Sequence, residues 1–330
     1  MFTPKENFLR AQNNDKPDRL VNDYEAFAVC LDPIYVLDRI SPIPGESIRD
    51  TFGTTVVQPE GHAGLMPIIN DELKVIKDVT RWKDQLKVPD YNSYDLDWTE
   101  INDFFKTVDK NEQLTSVIVT CGLFEKLHFL MGVEDTLVNL LVEPEAMHDL
   151  LDVLLENRIE HIKQIIDNCS PEMVIYHDDW GTKRSLYMAP DLWREFFKDR
   201  SRKIYDFISS RDVCFIHHSD SFCQPIAKDM AEIGIKCWQG VIPDNDIPAM
   251  QKELKGSMLL MGGINSAIDK SNWSEEEVRR EARNACEAYG PAGGFAPCLT
   301  YGGPGSIYPG VDEILRDEIS KYNVDTYGAG

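Results

Sequence analysis

Short apolar runs alternate with amphipathic stretches along most of the chain. Six such runs, most of them ending in polar residues, fall at 116–122, 173–179, 213–220, 236–241, 257–264 and 294–299, and an earlier one falls at 25–31. Continuous apolar runs of this length are typical of strands that are buried on both faces. The pattern therefore predicts seven buried strands.

The stretches between these runs have the features of helices. Pro144 and Pro190 suit the first turn of a helix, and Ser274 with Glu277 has the spacing of a capping box. The stretch 145–168 places leucine and isoleucine along one broad face. Strands that alternate with helices at this spacing predict a parallel sheet.

The polar residues that end these strands favour a closed sheet. They follow several different strands, at Cys121, 177–179, 217–220, 262–265 and Cys298. No G-x-G-x-x-G follows any strand, which argues against an open dinucleotide-binding sheet. We therefore predict one domain over 1–330, a (β/α)8 TIM barrel with its site at the C-terminal ends of the strands. Residues 1–110 are less regular and are expected to cap the barrel mouth, whereas 111–330 carry the regular repeats.

Composition and charge exclude several classes of partner. The 330 residues carry 56 acidic and 34 basic side chains, a formal net charge of −22, which repels nucleic acid and anionic membranes. No run of about 18 apolar residues is present, so we expect no membrane span. The N-terminus lacks a signal-peptide core, and the eight cysteines form no C-x-x-C pair. A cytoplasmic protein with reduced cysteines is expected.

A double histidine ends the predicted strand at 213–220. Because side chains alternate along a strand, one of His217 and His218 should point into the barrel and the other away. Asp220 can share the side of His218, and an imidazole with a carboxylate is an acceptable pair of zinc ligands. The alternative is that Asp220 caps the next helix and one histidine packs in the barrel wall.

Cys298 ends the last predicted strand, before a glycine-rich loop that includes Tyr301. A thiolate there would complete a metal site with His218 and Asp220, and Tyr301 is a candidate substrate contact. The alternative for Cys298 is a small buried apolar residue.

Two adjacent carboxylates follow another strand, in His177-Asp178-Asp179. Asp178 and Asp179, together with His217, are candidates for proton transfer, and His177 for substrate binding. The alternative is that one Asp caps the next segment and the other faces solvent.

Two further candidates for substrate binding are Gly263, at a predicted strand end, and Glu125, at a predicted helix start. Gly263 permits a close approach of backbone to a ligand, but fits a tight turn equally well. Glu125 is placed to reach the barrel mouth from the start of a helix. The alternative is that Glu125 only provides a favourable negative charge near that helix N-terminus.

The residues between about 115 and 315 resemble the uroporphyrinogen decarboxylase superfamily, which includes corrinoid-linked methyltransferases. The motifs that carry this resemblance are Asp178-Asp179-Trp180-Gly181-Thr182, the stretch 189–198, His218-Ser219-Asp220, Gly262-Gly263-Ile264 and Gly293-Gly294-Phe295. The resemblance implies a (β/α)8 barrel with its site at the strand C-termini.

Two branches of the superfamily differ in their motifs. The decarboxylases carry an arginine-rich N-terminal motif, R-Q-A-G-R, whereas this chain has Arg10 at 8–15 with no second arginine nearby. The thiol-directed methyltransferases bind zinc with H-x-C and a distant Cys. Here the pair is His218-Ser219-Asp220, and Cys298 stands where the distant Cys is expected. The harder carboxylate favours a Lewis acid for an ether or alcohol oxygen.

The resemblance thus implies a methyltransferase that moves a methyl group from a small methylated substrate, an aromatic methyl ether being favoured, to the cobalt of a corrinoid protein. Zinc held by His218, Asp220 and Cys298 is the expected metal, and a homodimer is left open. The alternatives are a decarboxylase or lyase acting on a smaller acid, a thiol-directed methyltransferase, and a barrel that only binds a ligand.

Overall fold

The computed structural model describes residues 1–40, 45–57, 66–299 and 307–328. Its strands are β1 Phe27–Cys30, β2 Ile48–Arg49, β3 Thr55–Val57, β4 Met66–Pro67, β5 Leu114–Val119, β6 Met173–His177, β7 Cys214–His218, β8 Cys237–Val241, β9 Leu259–Ile264 and β10 Phe295–Leu299. All seven predicted strands are therefore confirmed, as β1 and β5–β10.

The helices lie between these strands. They are α1 Pro4–Gln12, α2 Pro33–Arg39, α3 Trp82–Gln85, α4 Thr99–Thr107, α5 Leu123–Met131, α6 Val133–Val142, α7 Pro144–Cys169, α8 Pro190–Trp193, α9 Asp199–Ser210, α10 Ala227–Glu232, α11 Ile247–Leu254, α12 Glu275–Tyr289 and α13 Val311–Tyr327. Short 3-10 turns span Val79–Arg81, Tyr91–Ser93, Gln224–Ile226, Ser266–Ile268 and Gly290–Ala292, and a π turn at Arg194–Lys198 joins α8 to α9.

Local signals in the sequence set several of these helix boundaries. Pro144 and Pro190 begin α7 and α8, as predicted, because a first-turn residue needs no N–H partner. The Ser274 hydroxyl accepts from the Glu277 N–H at the start of α12. The Glu277 carboxylate pairs with Lys270, so the structure shows one half of the predicted capping box.

Seven parallel strands form the main sheet, in the order β1-β5-β6-β7-β8-β9-β10. The sheet is curled, since the Asp23 N–H, just before β1, donates to the Pro297 carbonyl on β10 at 3.2 Å. No eighth strand joins it within the described residues, and the eight-stranded barrel stays a prediction. The α/β architecture with a curled parallel sheet is TIM-barrel-like.

Both faces of this sheet are buried, which explains why its strands are continuously apolar. One face packs on the helices. The other encloses an inner core that is closed at the N-terminal ends of the strands by α1, where Phe8 packs edge-on against Phe27 with ring centroids 4.7 Å apart. Alternation along each strand decides which residues point inward.

Elements of the first 110 residues cover both ends of the main sheet: α1 lies at the N-terminal ends of the strands, and β2–β4 lie at the other end. The antiparallel strands β2–β4 lie by the C-terminal end of β5, where Val56 packs with Cys121 and Phe129. None of the described helices is long and apolar enough to cross a membrane.

Candidate functional site

Two histidines meet at the C-terminal ends of β6 and β7. His177 is paired with His218 in the parallel register, and their ring centroids lie 4.5 Å apart. Both side chains point to the inner face of the sheet, whereas those of the preceding residues, Tyr176 and His217, point to the helix side. The expectation that one residue of the double histidine points inward and the other away is therefore confirmed.

Asp179 joins this pair from the turn after β6. Its Oδ2 lies 3.3 Å from His177 Nε2, and its Oδ1 accepts from the Asp220 N–H at 3.1 Å. Burial opposes ionisation, but His177 and His218 outweigh it and hold the pKa of Asp179 below its usual value. The side chains of His177 and Asp179 are 20% and 24% exposed, so a small molecule can reach them.

His177, Asp179 and His218 form a candidate metal centre. One ligand atom from each lies within 4.8 Å of the others, and no other three His, Cys, Asp or Glu residues in the described ranges meet this condition. The predicted set is therefore rearranged: His218 is brought together with His177 and Asp179, while Asp220 and Cys298 lie outside the group.

Each histidine has a second partner behind it. Glu125 Oε2, on α5, lies 3.5 Å from His177 Nδ1, and Gln239 Oε1, on β8, hydrogen-bonds with His218 Nδ1. Burial lowers the pKa of His177, but Glu125 and Asp179 outweigh it and raise the pKa to about 10. Burial and the neighbouring His177 lower the pKa of His218 to about 4. Glu125, predicted to bind substrate, thus touches a site histidine.

Asp178 is fully buried and caps α5, a helix of the preceding βα unit. Its carboxylate accepts from the N–H groups of Phe124 and Glu125 at 3.2 and 3.0 Å, and from the Trp180 indole at 3.0 Å. A Cβ on Gly122 would lie 2.1 Å from Asp178, so a glycine is required there. These three donors lower the pKa of Asp178, but burial and the neighbouring Glu125 carboxylate outweigh them and raise it to about 7.

His217 lies on the helix side of β7, away from the site, and is fully buried. Its Nδ1 is 2.7 Å from the Tyr205 hydroxyl, and its ring stacks on Trp180 at 4.2 Å. Burial lowers the pKa of His217 well below its usual value, so the ring is neutral. The predicted catalytic role does not fit this position, because the inner strand face and the helix layer are on opposite sides of the backbone.

We expect His217→Phe to behave as a packing variant. The buried Tyr205 hydroxyl would lose its partner, which costs about 1–3 kcal/mol of unfolding free energy. Urea denaturation measures this loss, and initial rates normalised to folded protein should stay at the wild-type value. A stable His217→Phe protein without turnover would return His217 to the catalytic residues.

Cys298 lies in the inner core on β10 and is fully buried. Its Sγ lies 2.8 Å from the Leu299 carbonyl oxygen, as a thiol donor, and 3.7 Å from Gln239 Nε2. Burial raises the pKa of Cys298 well above its usual value, which favours a neutral thiol. Gln239 lies between Cys298 and His218, because its amide contacts both.

The other predicted site residues do not join the group of His177, Asp179 and His218. Asp220 stands half-buried at the same end, and burial together with Asp179 raises its pKa to about 7. Gly263 has φ +77°, and a Cβ there would lie 2.8 Å from the Phe295 ring, so packing explains this glycine. Tyr301 lies outside the described residues.

Sequence reasoning missed Gln239 and the ligand position of His177. A signal for His177 is present, since His177-Asp178-Asp179 has the same H-x-D spacing as His218-Ser219-Asp220 on the neighbouring strand. Gln239 carries no such signal, because only the register of β7 with β8 places it opposite His218.

Comparisons with known proteins agree with this architecture. The family model described as Uroporphyrinogen decarboxylase (URO-D) matches residues 48–317. Among solved structures, a methyltransferase from Methanosarcina mazei is similar over 98% of this chain and 99% of that chain, with a TM-score of 0.65 and 15% identity, a likeness that shows the fold alone. No curated protein sequence matches the chain.

Proposed function

The chain belongs to the uroporphyrinogen decarboxylase family, and we propose that it is a methyltransferase of that family. Its substrate would be a small methylated compound, with an aromatic methyl ether as the favoured class, and the acceptor a corrinoid carried by a partner protein. The proposal takes the curled sheet to be a (β/α)8 barrel and places the protein in the cytoplasm, where its eight cysteines, all free among the described residues, would stay reduced.

The observation that carries the proposal is the group of His177, Asp179 and His218 at the C-terminal end of the sheet, with Asp220 beside it. In barrels of this kind that end carries the active site. The group offers two imidazoles and a carboxylate to one point, and Asp220 is a half-buried acid whose side chain forms no ion pair within the described part of the chain. Such a group could hold a metal ion that polarises a substrate oxygen, and Asp220 could transfer a proton to that oxygen.

The charges at this end disfavour a substrate with many carboxylates. Glu125, Asp178, Asp179 and Asp220 all lie there. Arg10, the single arginine at 8–15, lies on α1 across the N-terminal ends of the strands and pairs with neighbouring carboxylates, Glu6 at 3.3 Å among them. A neutral ether avoids the repulsion that a polycarboxylate would meet.

Each part of the site has a distinct task. When bound, the corrinoid supplies the nucleophilic cobalt(I) that accepts the methyl group, and a divalent metal supplies a Lewis acid for the substrate oxygen. The methyl–oxygen bond breaks with its electron pair left on oxygen. Asp220 donates the proton that neutralises this oxygen, and the inner face of the sheet holds the ring close to the histidines.

A methyl-transfer assay tests the proposal. Full-length protein is mixed with 2-methoxyphenol and with free cob(I)alamin as the acceptor, and we expect methylcobalamin and catechol to form in equal amounts. The rate should exceed that of the same mixture without protein, and His218→Ala should abolish the difference. Release of CO2 from an aromatic acid, or methyl transfer that needs a thiol acceptor, would instead support a decarboxylase or a thiol-directed enzyme.

A further inference from the structure

We propose that this chain binds one divalent first-row metal ion through His177, Asp179 and His218, a set of two histidines and one carboxylate without sulfur. The role of this ion in catalysis rests on the proposed function. Its binding does not, because metal affinity can be measured without turnover.

The spacing of the three side chains suits one small ion. Zinc bonds of about 2.0–2.2 Å to nitrogen and oxygen place neighbouring ligands of a tetrahedral site about 3.3–3.5 Å apart. His177 Nε2 and Asp179 Oδ2 are 3.3 Å apart, and all three ligand atoms lie within 4.8 Å. Small side-chain rotations would bring His218 to the same spacing.

The outer partners fix which ring nitrogen faces the ion. Glu125 and Gln239 both present an oxygen to an Nδ1. In the neutral ring that binds a metal, Nδ1 therefore carries the proton and Nε2 offers its lone pair to the ion. The amide nitrogen of Gln239 is directed at Leu299 O at 3.5 Å and at Cys298 Sγ, which turns its oxygen towards His218. Histidine ligands in metalloproteins are typically oriented by such second partners.

The orientation of the carboxylate is fixed as well. Asp179 Oδ1 accepts from the Asp220 N–H, which leaves Oδ2 for the ion. Three protein ligands leave a fourth position for water or substrate, which is typical of catalytic zinc sites. Nitrogen and oxygen donors accept Zn²⁺, Co²⁺ or Fe²⁺, whereas a soft ion that prefers thiolates is disfavoured.

Cobalt(II) is the probe that separates this ligand set from one with Cys298. The full-length chain is stripped with a chelator and titrated with Co²⁺, and Zn²⁺ content is measured by elemental analysis after dialysis. We expect one ion per chain and visible d–d bands without the near-ultraviolet band of a thiolate–cobalt bond. A thiolate band that disappears in Cys298→Ser would overturn the proposal, as would a folded wild-type chain that retains neither ion.

Matched variants locate the ligands. The outer-partner variants Glu125→Gln and Gln239→Leu should weaken Co²⁺ binding by about 10–100-fold. The ligand variants His177→Ala and His218→Ala should weaken it by more than that. Cys298→Ser should keep the wild-type affinity. Circular dichroism checks folding, and His177→Asn replaces His177→Ala if the latter does not fold. Wild-type affinity in a folded His177 variant contradicts the site. Metal binding without methyl transfer leaves this site intact and rejects the proposed function.

Discussion

Asp178→Ala is expected to lower the free energy of unfolding by about 3 kcal/mol or more. The substitution leaves three buried N–H donors without an acceptor, those of Phe124, Glu125 and the Trp180 indole. Each buried donor left without a partner costs about 1–3 kcal/mol. Urea denaturation followed by circular dichroism measures the loss.

An exposed cap gives the matched control for this variant. Asp90 accepts from the Asn92 N–H at 3.1 Å on the surface, and Asp90→Ala should cost only about 1 kcal/mol, because water replaces its contact. If Asp178→Ala is as stable as the wild type but inactive, Asp178 acts on the substrate, as the sequence alone suggested, and the capping role is secondary.

Asp220→Asn is expected to lower turnover by about 10²–10⁴-fold, the usual contribution of a positioned general acid. An amide has the same shape but cannot donate the proton that the leaving oxygen requires. Metal content and the urea midpoint should stay at wild-type values, because the Asp220 carboxylate lies outside the group of His177, Asp179 and His218 and the Asp220 backbone N–H still donates to Asp179. Initial rates in the cob(I)alamin assay give the measurement.

Asp244→Asn is the control for charge. Asp244 is exposed and follows β8 at the same end of the sheet, so its substitution removes a carboxyl group from that end without removing the proposed acid. Its turnover should match the wild type. An Asp220→Asn protein that loses its metal would make Asp220 a ligand, as the sequence predicted, and full turnover with full metal would leave the proton to another group.

The hydrophobic pattern was sufficient for the strands and for placing His217 and His218 on opposite faces, but not for which of them points inward. A strand buried on both faces must be apolar throughout, and the two-residue repeat sends His217 and His218 to opposite faces. The structure decided that His218 points inward, together with His177 on β6. The family followed from motifs in chain order, and the match over residues 48–317 confirms it.

The partners of the site residues could not be obtained in this way. Asp178 caps a helix that begins more than 50 residues earlier in the chain, and its place beside Gly122 depends on how β5 and β6 align. The chain positions of Asp178 and Asp179 are adjacent, yet one binds backbone N–H groups of α5 and the other faces the histidines.

The sequence by itself therefore determined the alternating strands and helices, the end of the sheet that carries the polar residues, and the opposite orientations of His217 and His218, because these depend on local periodicity. Only the tertiary structure decided that His218 meets His177 and Asp179 and not Cys298. That choice depends on the register between neighbouring strands and on Gln239, which lies opposite His218 and contacts Cys298 from the other side. A hydrophobic pattern specifies strand register only where the two faces of the strand differ, and these strands are apolar on both faces, so their local sequence does not specify the register.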